Sequence, residues 1–573
     1  MNINTLFIPP IPPPEADPAP LSWSALDRDR ALAQARAGGF ELVIVGGGIT
    51  GAGVAREAAL RRIPFLLVGK GDFAAGTSSR SSKLIHGGFR YLAQGEFRLV
   101  REAATERNWL RHALPNLVRP LAFHLCATAG GRDTPARVRA GIRLYDLLSD
   151  TCSRFKNLPH RFLTPAQLAA LEPAMDTEGL LMAGRYYDYL VDDARLVLEA
   201  LKEARDASGG QSVALNYVKA VRISVLDGGG LEVELEAAPG GPRFRVRAPC
   251  VLNATGAWTD ATLALAGVET RMVRPTKGVH LVVPNARLGN RGAFVLRAAR
   301  DGRTFFVLRR GEVSVIGTTD TDYPGDPDRP RCDPGDCDYL LETVNRVFPA
   351  ARLRRADILA TSAGIRPLVR GRDGSASGVS RRHLLLDPGT GLVTIAGGKL
   401  TTFRTMAWEI LDRCSRAGYL RPLRGAEARG DFSRRPFKNG LDWEAWRRLA
   451  AERGLAGLVP EAAGRHLHQQ YGRQALRILA EVRRDPASGQ PLLEGHPFCA
   501  AEIRHILAFE NAPRLCDVML RRTEMQMLVG HDRQPALAGR VASLMACAYG
   551  WGPAREREEL DRYLQYVRDT VTF

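Results

Sequence analysis

The 573-residue sequence predicts an α/β fold: a Rossmann-like dinucleotide-binding domain with an inserted, mostly antiparallel domain, followed by an all-helical C-terminal domain. Three observations predict it. A buried apolar run, "FELVIVG" from Phe40, passes through a glycine turn into a helix-like segment, "ITGAGVAREAALRR". Residues 213–248 alternate apolar and polar side chains, the two-residue period of antiparallel strands. Past about residue 430 the segments "WEAWRRLAAER", "RQALRILAEVRR" and "LAGRVASLMACAYG" keep helical spacing with little strand signal. The expected units are therefore 1–38, 39–429 and 430–573.

Each element follows from its residues. "PPIPPPEADPAP" in the first twenty positions is a Pro-rich leader, disordered or extended. "DRDRALAQARAG" (27–38) reads as a short helix stopped by a glycine pair. "RLVREAATERNWLRHAL" and "RVRAGIRLYDLLSD" read as amphipathic helices. "LTPAQLAAL" opens with Thr164 as N-cap and Pro165 in the first helical position. "VLNATG" (251–256) is a second buried strand, and "GVHLVVP", "RTFFVL" and "EVSVIGTTD" form a further strand group. "GLVTIAGGKLTTFRTMAWEILD" (391–412) reads as strand, glycine turn and helix.

Composition narrows the function. A 45% apolar, 25% charged chain is globular. The formal charge of +18 suits an anionic substrate or an anionic membrane surface. No basic motif with interleaved aromatics is present, so nucleic acid is not expected as a partner. The nine cysteines are widely spaced with no CxxC pair, Cys332 and Cys337 being the nearest neighbours. They read as free thiols in a reducing cytosol, and no metal site is expected. No apolar run reaches ~18 residues, so a transmembrane helix is not expected. The N-terminus lacks the charged and apolar regions of a secretion signal.

Gly46-Gly47-Gly48-Ile49-Thr50-Gly51 fits GxGxxG between a strand and a helix, the context that binds a dinucleotide diphosphate. Gly46 permits the turn, Gly48 the approach of the backbone to the diphosphate, and Gly51 the close packing of the helix. The helix start offers free N–H groups and partial positive charge to that anion. Two further glycine turns, Thr255-Gly256 and Gly397-Gly398, follow late strands. Three converging segments suit an embedded FAD better than a nicotinamide cofactor. The segment through Leu400, Thr401 and Thr402 then directs a helix start toward the pyrimidine edge of the flavin, where it stabilises negative charge.

One position departs from the pattern. "FLLVGKGDF" (65–73) places Gly69 about 20 residues beyond the turn, where a ribose-binding carboxylate is usual. Asp72, three residues on, could reach the ribose, but is read as a turn aspartate bonded to nearby backbone.

The most specific stretch is "GTSSRSSKLIHGGFRYL" (76–92). It resembles the FAD-dependent (aerobic, quinone-linked) glycerol-3-phosphate dehydrogenases. So do "YYDYLVDDARLVLEA", "NATGAWTD", "KGVHLVVP", "IGTTDTDYPGDP", "AGIRPLV", "AGGKLTTFRTMA", "RRTEMQML" and "ASLMACAYGW". The likeness spans about residues 40–570 and leaves out the leader. Related sequences carry Glu where this chain has Gly69. "RRG" at 309–311 also departs from the family's more apolar wording, and is read as a hairpin turn rather than a pocket edge.

The resemblance implies that FAD oxidises sn-glycerol 3-phosphate to dihydroxyacetone phosphate and that electrons pass to a membrane quinone. It implies a cytoplasmic protein held peripherally on the inner face of the cell membrane. Homodimer formation is left open. In the Ser-rich run it places Thr77, Ser78, Ser79, Ser81, Ser82, Lys83, Leu84, His86, Gly87 and Gly88 at the cofactor. Trp258 joins them from "NATGAWTD". Arg90, Arg366 and Arg381 are the expected phosphate and hydroxyl ligands, since a guanidinium fork matches phosphate oxygens. Tyr91 lines the pocket and Lys399 bonds to substrate or flavin. His280 is the expected base, with His86 as the other candidate, and Arg366 or Lys399 polarises the hydroxyl. Two other readings stand beside this one: an oxidase that uses oxygen, and an inactive flavin- or phosphate-binding protein. An amino-acid oxidase of the same fold does not account for the three arginines.

Overall fold

The computed structural model describes residues 22–150, 155, 157–238, 240–298, 300–370, 383–422 and 434–573. The Pro-rich leader, Cys152 and Arg381 lie outside these residues, as does the side chain of Arg90.

The first sheet runs in the order Leu384–Leu386, Leu392–Ala396, Cys250–Asn253, Leu42–Val45, Phe65–Val68, Val213–Leu215. All neighbours in it are parallel except the first pair. Its central strands are apolar throughout because both faces are covered. Leu42, Ile44, Phe65 and Leu67 pack against the helices Ile49–Leu60, Asp193–Ala207 and Phe403–Arg416. Val43, Val45, Leu66 and Val68 point the other way, toward the helix Arg28–Ala37 and a three-stranded antiparallel sheet.

That small sheet consists of Val218–Val225, Leu231–Ala237 and Arg243–Ala248. Val213–Leu215 does not belong to it. Those residues were expected to be antiparallel, but they pair in parallel with Phe65–Val68. Tyr217, at φ +54°, turns the chain out of one sheet and into the other. Alternation shows a strand's buried face but not its partner, which is why the period could not separate the two.

The inserted domain is a ten-stranded sheet, antiparallel apart from the Ala293–Arg297 and Arg119–Thr128 pair. Val273–Pro284 pairs along its length with Ala360–Val369, and Arg119–Thr128 with Leu180–Leu190. The "RRG" segment ends a hairpin between Thr304–Arg310 and Val313–Gly317. Arg310 does more than turn the chain: buried, it ion-pairs with Glu524 and donates to the Val191 carbonyl at 3.1 Å.

Helices from Trp443–Glu452 to Pro553–Asp569 build the C-terminal domain around their own apolar core. "RRTEMQML" ties it to the rest. Arg521 and Arg522 both reach Asp72, at 2.5 and 2.6 Å, and Asn216 donates to the same carboxylate at 2.9 Å. Burial acts to raise the Asp72 carboxyl, but the two guanidiniums hold it well below the usual carboxylate range. The Asp72 carboxylate therefore does not bond nearby backbone. It anchors the C-terminal domain. The thiols of Cys332 and Cys337 face each other at 3.4 Å, and those of Cys250 and Cys414 at 3.7 Å, all four as free cysteines.

Candidate functional site

The carboxyl ends of the parallel strands open into a cavity of about 740 Å³. This is where an open α/β sheet binds its ligand. Gly46 has φ +128°, and a side chain there would collide with the Ala254 carbonyl. Gly51 sits against the Gly46 carbonyl, so the helix Ile49–Leu60 packs closely while its N-terminus faces the cavity. Gly48, the N-cap, contributes no side chain; Ser78 Oγ accepts from the Ile49 N–H at 3.0 Å instead. The glycine turn and the Ser-rich run thus meet at one helix start, as anion binding requires.

Gly46, Gly48, Thr77, Ser78, Ser81, Thr255, Gly256, Trp258, Gly397, Gly398, Lys399 and Leu400 all line this cavity, and so does Gly69. Thr77 donates to the Ile365 carbonyl at 2.5 Å, which joins the run to the inserted domain. Trp258 Nε1 is buried without a hydrogen-bond partner. The 3-10 turn Leu400–Thr402 precedes the helix Phe403–Arg416. Thr401 lies 3.4 Å from the His86 carbonyl, and Thr402 is buried beside Met406. A glycine-lined helix start, hydroxyls at its edge and a buried indole N–H fit a flavin dinucleotide.

Other residues of the run face elsewhere. Lys83 was expected at the cofactor. Its ammonium instead lies 2.5 Å from Asp193 and 2.8 Å from Glu524, and it does not line the cavity. Burial alone would lower the Lys83 pKa, but these two carboxylates raise it above the ordinary lysine value. Asp192, Asp193 and Glu524 are close enough together to hold a cation, and Lys83 and Arg310 are the cations that face them. Ser81 is also held by Asp193, at 2.6 Å. Lys83 accordingly works as a buried tie between the Ser-rich run and the C-terminal domain. Ser79 accepts from Lys83 through its carbonyl at 3.3 Å, and Leu84 pairs with Leu190. The Gly87 N–H donates to Tyr145 and Asp188.

On the substrate side, His280 Nε2 and Ser82 Oγ lie 2.8 Å apart. His280 is on the strand Val273–Pro284, paired with Ser362, and Arg366 is on the same partner strand opposite Thr276. Burial, then the nearby charges of Arg366 and Lys83, push His280 down to about 3, so its imidazole is neutral. Arg366 is positioned by Asp320 at 3.0 Å, Thr318 at 2.8 Å and the Thr319 carbonyl at 3.1 Å. These partners come from the "IGTTD" segment, whose residue types signal the family resemblance but not this role. The Lys399 ammonium sits 4.0 Å from the centre of the Tyr91 ring, so these two candidates occupy one place. His86 and Gly88 line a second, smaller cavity of about 350 Å³, with Phe89, Leu92, Phe97 and Phe306. The His86 ring lies 6.5 Å from that of Phe306, which pairs with Gly317, as His280 does from the other side.

The parallel sheet, its glycine-lined cavity and the buried imidazole define a dinucleotide-dependent oxidoreductase. Residues 41–404 match the model of the FAD dependent oxidoreductases, and residues 420–556 match the C-terminal domain of alpha-glycerophosphate oxidase. The chain is 37% identical to glycerol-3-phosphate dehydrogenase 2 of Mycobacterium bovis over 95% of its own length and 91% of the relative's. It is 31% identical to the alpha-glycerophosphate oxidase of Streptococcus pyogenes over 96% and 98%. The solved glycerol-3-phosphate dehydrogenase of Bacillus halodurans, complexed with FAD, superposes with a TM-score of 0.75 at 27% identity, covering 96% and 98% of the two chains. The chain belongs to the FAD-dependent oxidoreductase family, and within it to the glycerol-3-phosphate dehydrogenases; its cofactor is FAD.

Proposed function

We propose that this protein oxidises sn-glycerol 3-phosphate to dihydroxyacetone phosphate and delivers the electrons to a membrane quinone, for glycerol catabolism. The placement of Arg366 and the buried neutral His280 on two adjacent strands, the first next to Pro367 at the FAD cavity, carries the proposal. FAD held in this cavity would supply the acceptor for the C2 hydride, two electrons with their hydrogen. Arg366, with Arg90 and Arg381, takes the phosphate dianion and one oxygen of the reacting end. Lys399 polarises the C2 hydroxyl. The hydroxyl proton goes to His280. When Nε2–H donates to Ser82 Oγ, Nδ1 carries the lone pair, and in the structure Nδ1 is buried with no hydrogen-bond partner. The charge of Arg366 contributes to the low pKa of His280, so an arriving dianion relieves that effect and strengthens the base when substrate is bound.

A peripheral position on the inner face of the cell membrane is part of the same proposal. It is supported by the +18 charge and by exposed Phe97 (48%) and Leu147 (57%) on neighbouring helices that also expose Arg98, Arg101, Arg139 and Arg143. Among the described residues no helix is long and apolar enough to cross a membrane. The 350 Å³ cavity, where Phe89, Leu92, Phe97, Leu125 and Phe306 stand beside charged residues such as Arg137 and Arg297, suits an acceptor with an apolar body and polar oxygens.

Anaerobic mixing with glycerol 3-phosphate tests the chemistry: bleaching of the flavin band is expected, and an unchanged band would refute it. The relative named as an oxidase favours one second reading, transfer to oxygen. One peroxide formed per substrate oxidised, with no reduction of a short-chain quinone, would establish that reading instead.

A further inference from the structure

Gly69 gives the cavity wall no side chain, but the next residue does. Lys70 Nζ lies 2.6 Å from Asp328 Oδ2, with the two side chains 38% and 50% exposed. The same ammonium sits 4.3 Å from the centre of the Trp258 ring. Lys70, Trp258 and Asp328 all line the 740 Å³ cavity. They come from three separate places: the end of the strand Phe65–Val68, the turn after Cys250–Asn253, and a loop of the inserted domain.

That loop is folded on itself. Asp326 Oδ1 accepts from the Asp328 N–H at 2.9 Å, and the Tyr323 hydroxyl donates to the Asp326 carbonyl at 3.1 Å. Asp328 is therefore held in position before Lys70 reaches it. Among the described residues two carboxylates line the cavity, Asp72 and Asp328. Asp72 is saturated by Arg521, Arg522 and Asn216, so Asp328 is the one within reach of solvent or ligand.

Position along the sheet says which half of the cofactor lies here. Leu392–Ala396, which leads to Gly397, is three places from Phe65–Val68 in the strand order. At about 4.8 Å per strand, that is roughly 14 Å. If the Gly397 turn serves the flavin ring, Lys70 and Asp328 stand at the adenosine half.

We propose that the Lys70–Asp328 ion pair is a clasp across the cavity opening that retains the adenosine half of FAD, in place of a carboxylate at position 69. An ion pair this exposed is weak by itself, and so it opens readily to admit the nucleotide. Once the cavity is filled and water is displaced, the same pair lies in a lower effective dielectric and holds more firmly. Trp258 fixes the ammonium between the two states through its ring face.

The test is the rate at which the holoenzyme releases FAD after dilution, followed by the rise in flavin fluorescence. Lys70→Gln and Asp328→Asn should each speed release about tenfold. About 1 M salt should bring the wild type to the same faster rate, because screening removes the pair. The charge swap Lys70→Asp/Asp328→Lys should return release to within about threefold of wild type. That recovery also guards against a misfolded single variant. Single variants within about twofold of wild type, or a swap no slower than the singles, would overturn the clasp.

Discussion

Asp72 Oδ2 accepts from Arg522 Nη1 at 2.6 Å although 450 positions separate the two residues. Both side chains are fully buried. The Arg522 guanidinium also donates to the Glu510 and Asn511 carbonyls at 3.0 Å. The contact places a C-terminal arginine directly behind the cofactor cavity, whose wall includes Asp72. Arg522→Met leaves the carboxylate and two carbonyls short of a donor. Breaking a buried pair from one side costs about 3–5 kcal/mol. Urea unfolding should show a loss of that size, and Asp72→Asn/Arg522→Met a smaller one. A loss below about 1 kcal/mol for the single variant would show that Arg521 alone suffices.

Arg366→Ala should retain FAD and lose substrate oxidation. The Arg366 guanidinium is set by Asp320 and Thr318, and Arg366 itself is not among the residues lining the FAD cavity. A charge-assisted bidentate contact to phosphate is worth about 3 kcal/mol, so kcat/KM should fall on the order of 100-fold or more. The flavin-to-protein ratio of the purified variant should match the wild type. Near-normal flavin reduction would take Arg366 out of the site.

His280→Asn should slow anaerobic flavin reduction by roughly 10²–10⁴-fold, the usual contribution of a positioned base. Its pKa also bears on stability. In the unfolded chain a histidine takes up a proton near pH 6.5, whereas folded His280 refuses one down to about 3. Between those values the unfolded state binds more protons, so folding stability is full above about pH 6.5 and declines as pH falls toward 3. His280→Asn removes one such group. Its melting temperature should fall less steeply than the wild type's between about pH 6.5 and pH 4 in calorimetry. Parallel pH profiles would mean that His280 is protonated in the folded protein.

Gly69→Glu should tighten FAD binding about tenfold without changing the choice of substrate. The position has room: a Cβ there would meet Gly71 O at 3.4 Å and the Gly47 nitrogen at 3.5 Å, ordinary contacts. Titration of apoprotein with FAD, followed by flavin fluorescence, measures the change. An unchanged dissociation constant would show that the ribose is already fully satisfied.

Much of the fold was legible in the sequence. The strand, glycine turn and helix from Leu42 to Leu60 and the Thr164 capping box are short-range devices, carried by side chains a few residues apart. The Ser-rich run was legible as a unit but not residue by residue. Ser78 turns to the helix start, Ser82 to His280, and Lys83 away to Asp193 and Glu524. Those directions depend on backbone details such as the φ of +55° at Lys83, which no residue-type pattern encodes. Val213–Leu215 was misplaced for a related reason, since alternation shows a strand's buried face and not its neighbour.

The sequence by itself determined the class of cofactor, because a diphosphate needs glycine at fixed spacing before a helix start and that need is met within six consecutive residues. It also exposed the missing carboxylate at Gly69. Only the tertiary structure decided what stands around that gap. Lys70 and Asp328 come together because the inserted domain folds its loop over the end of the parallel sheet. Asp72 is withdrawn from the ligand because two arginines from the far end of the chain neutralise it in a buried place. Charges buried together must be paired, and the pairing is settled by how the domains pack rather than by their order along the chain.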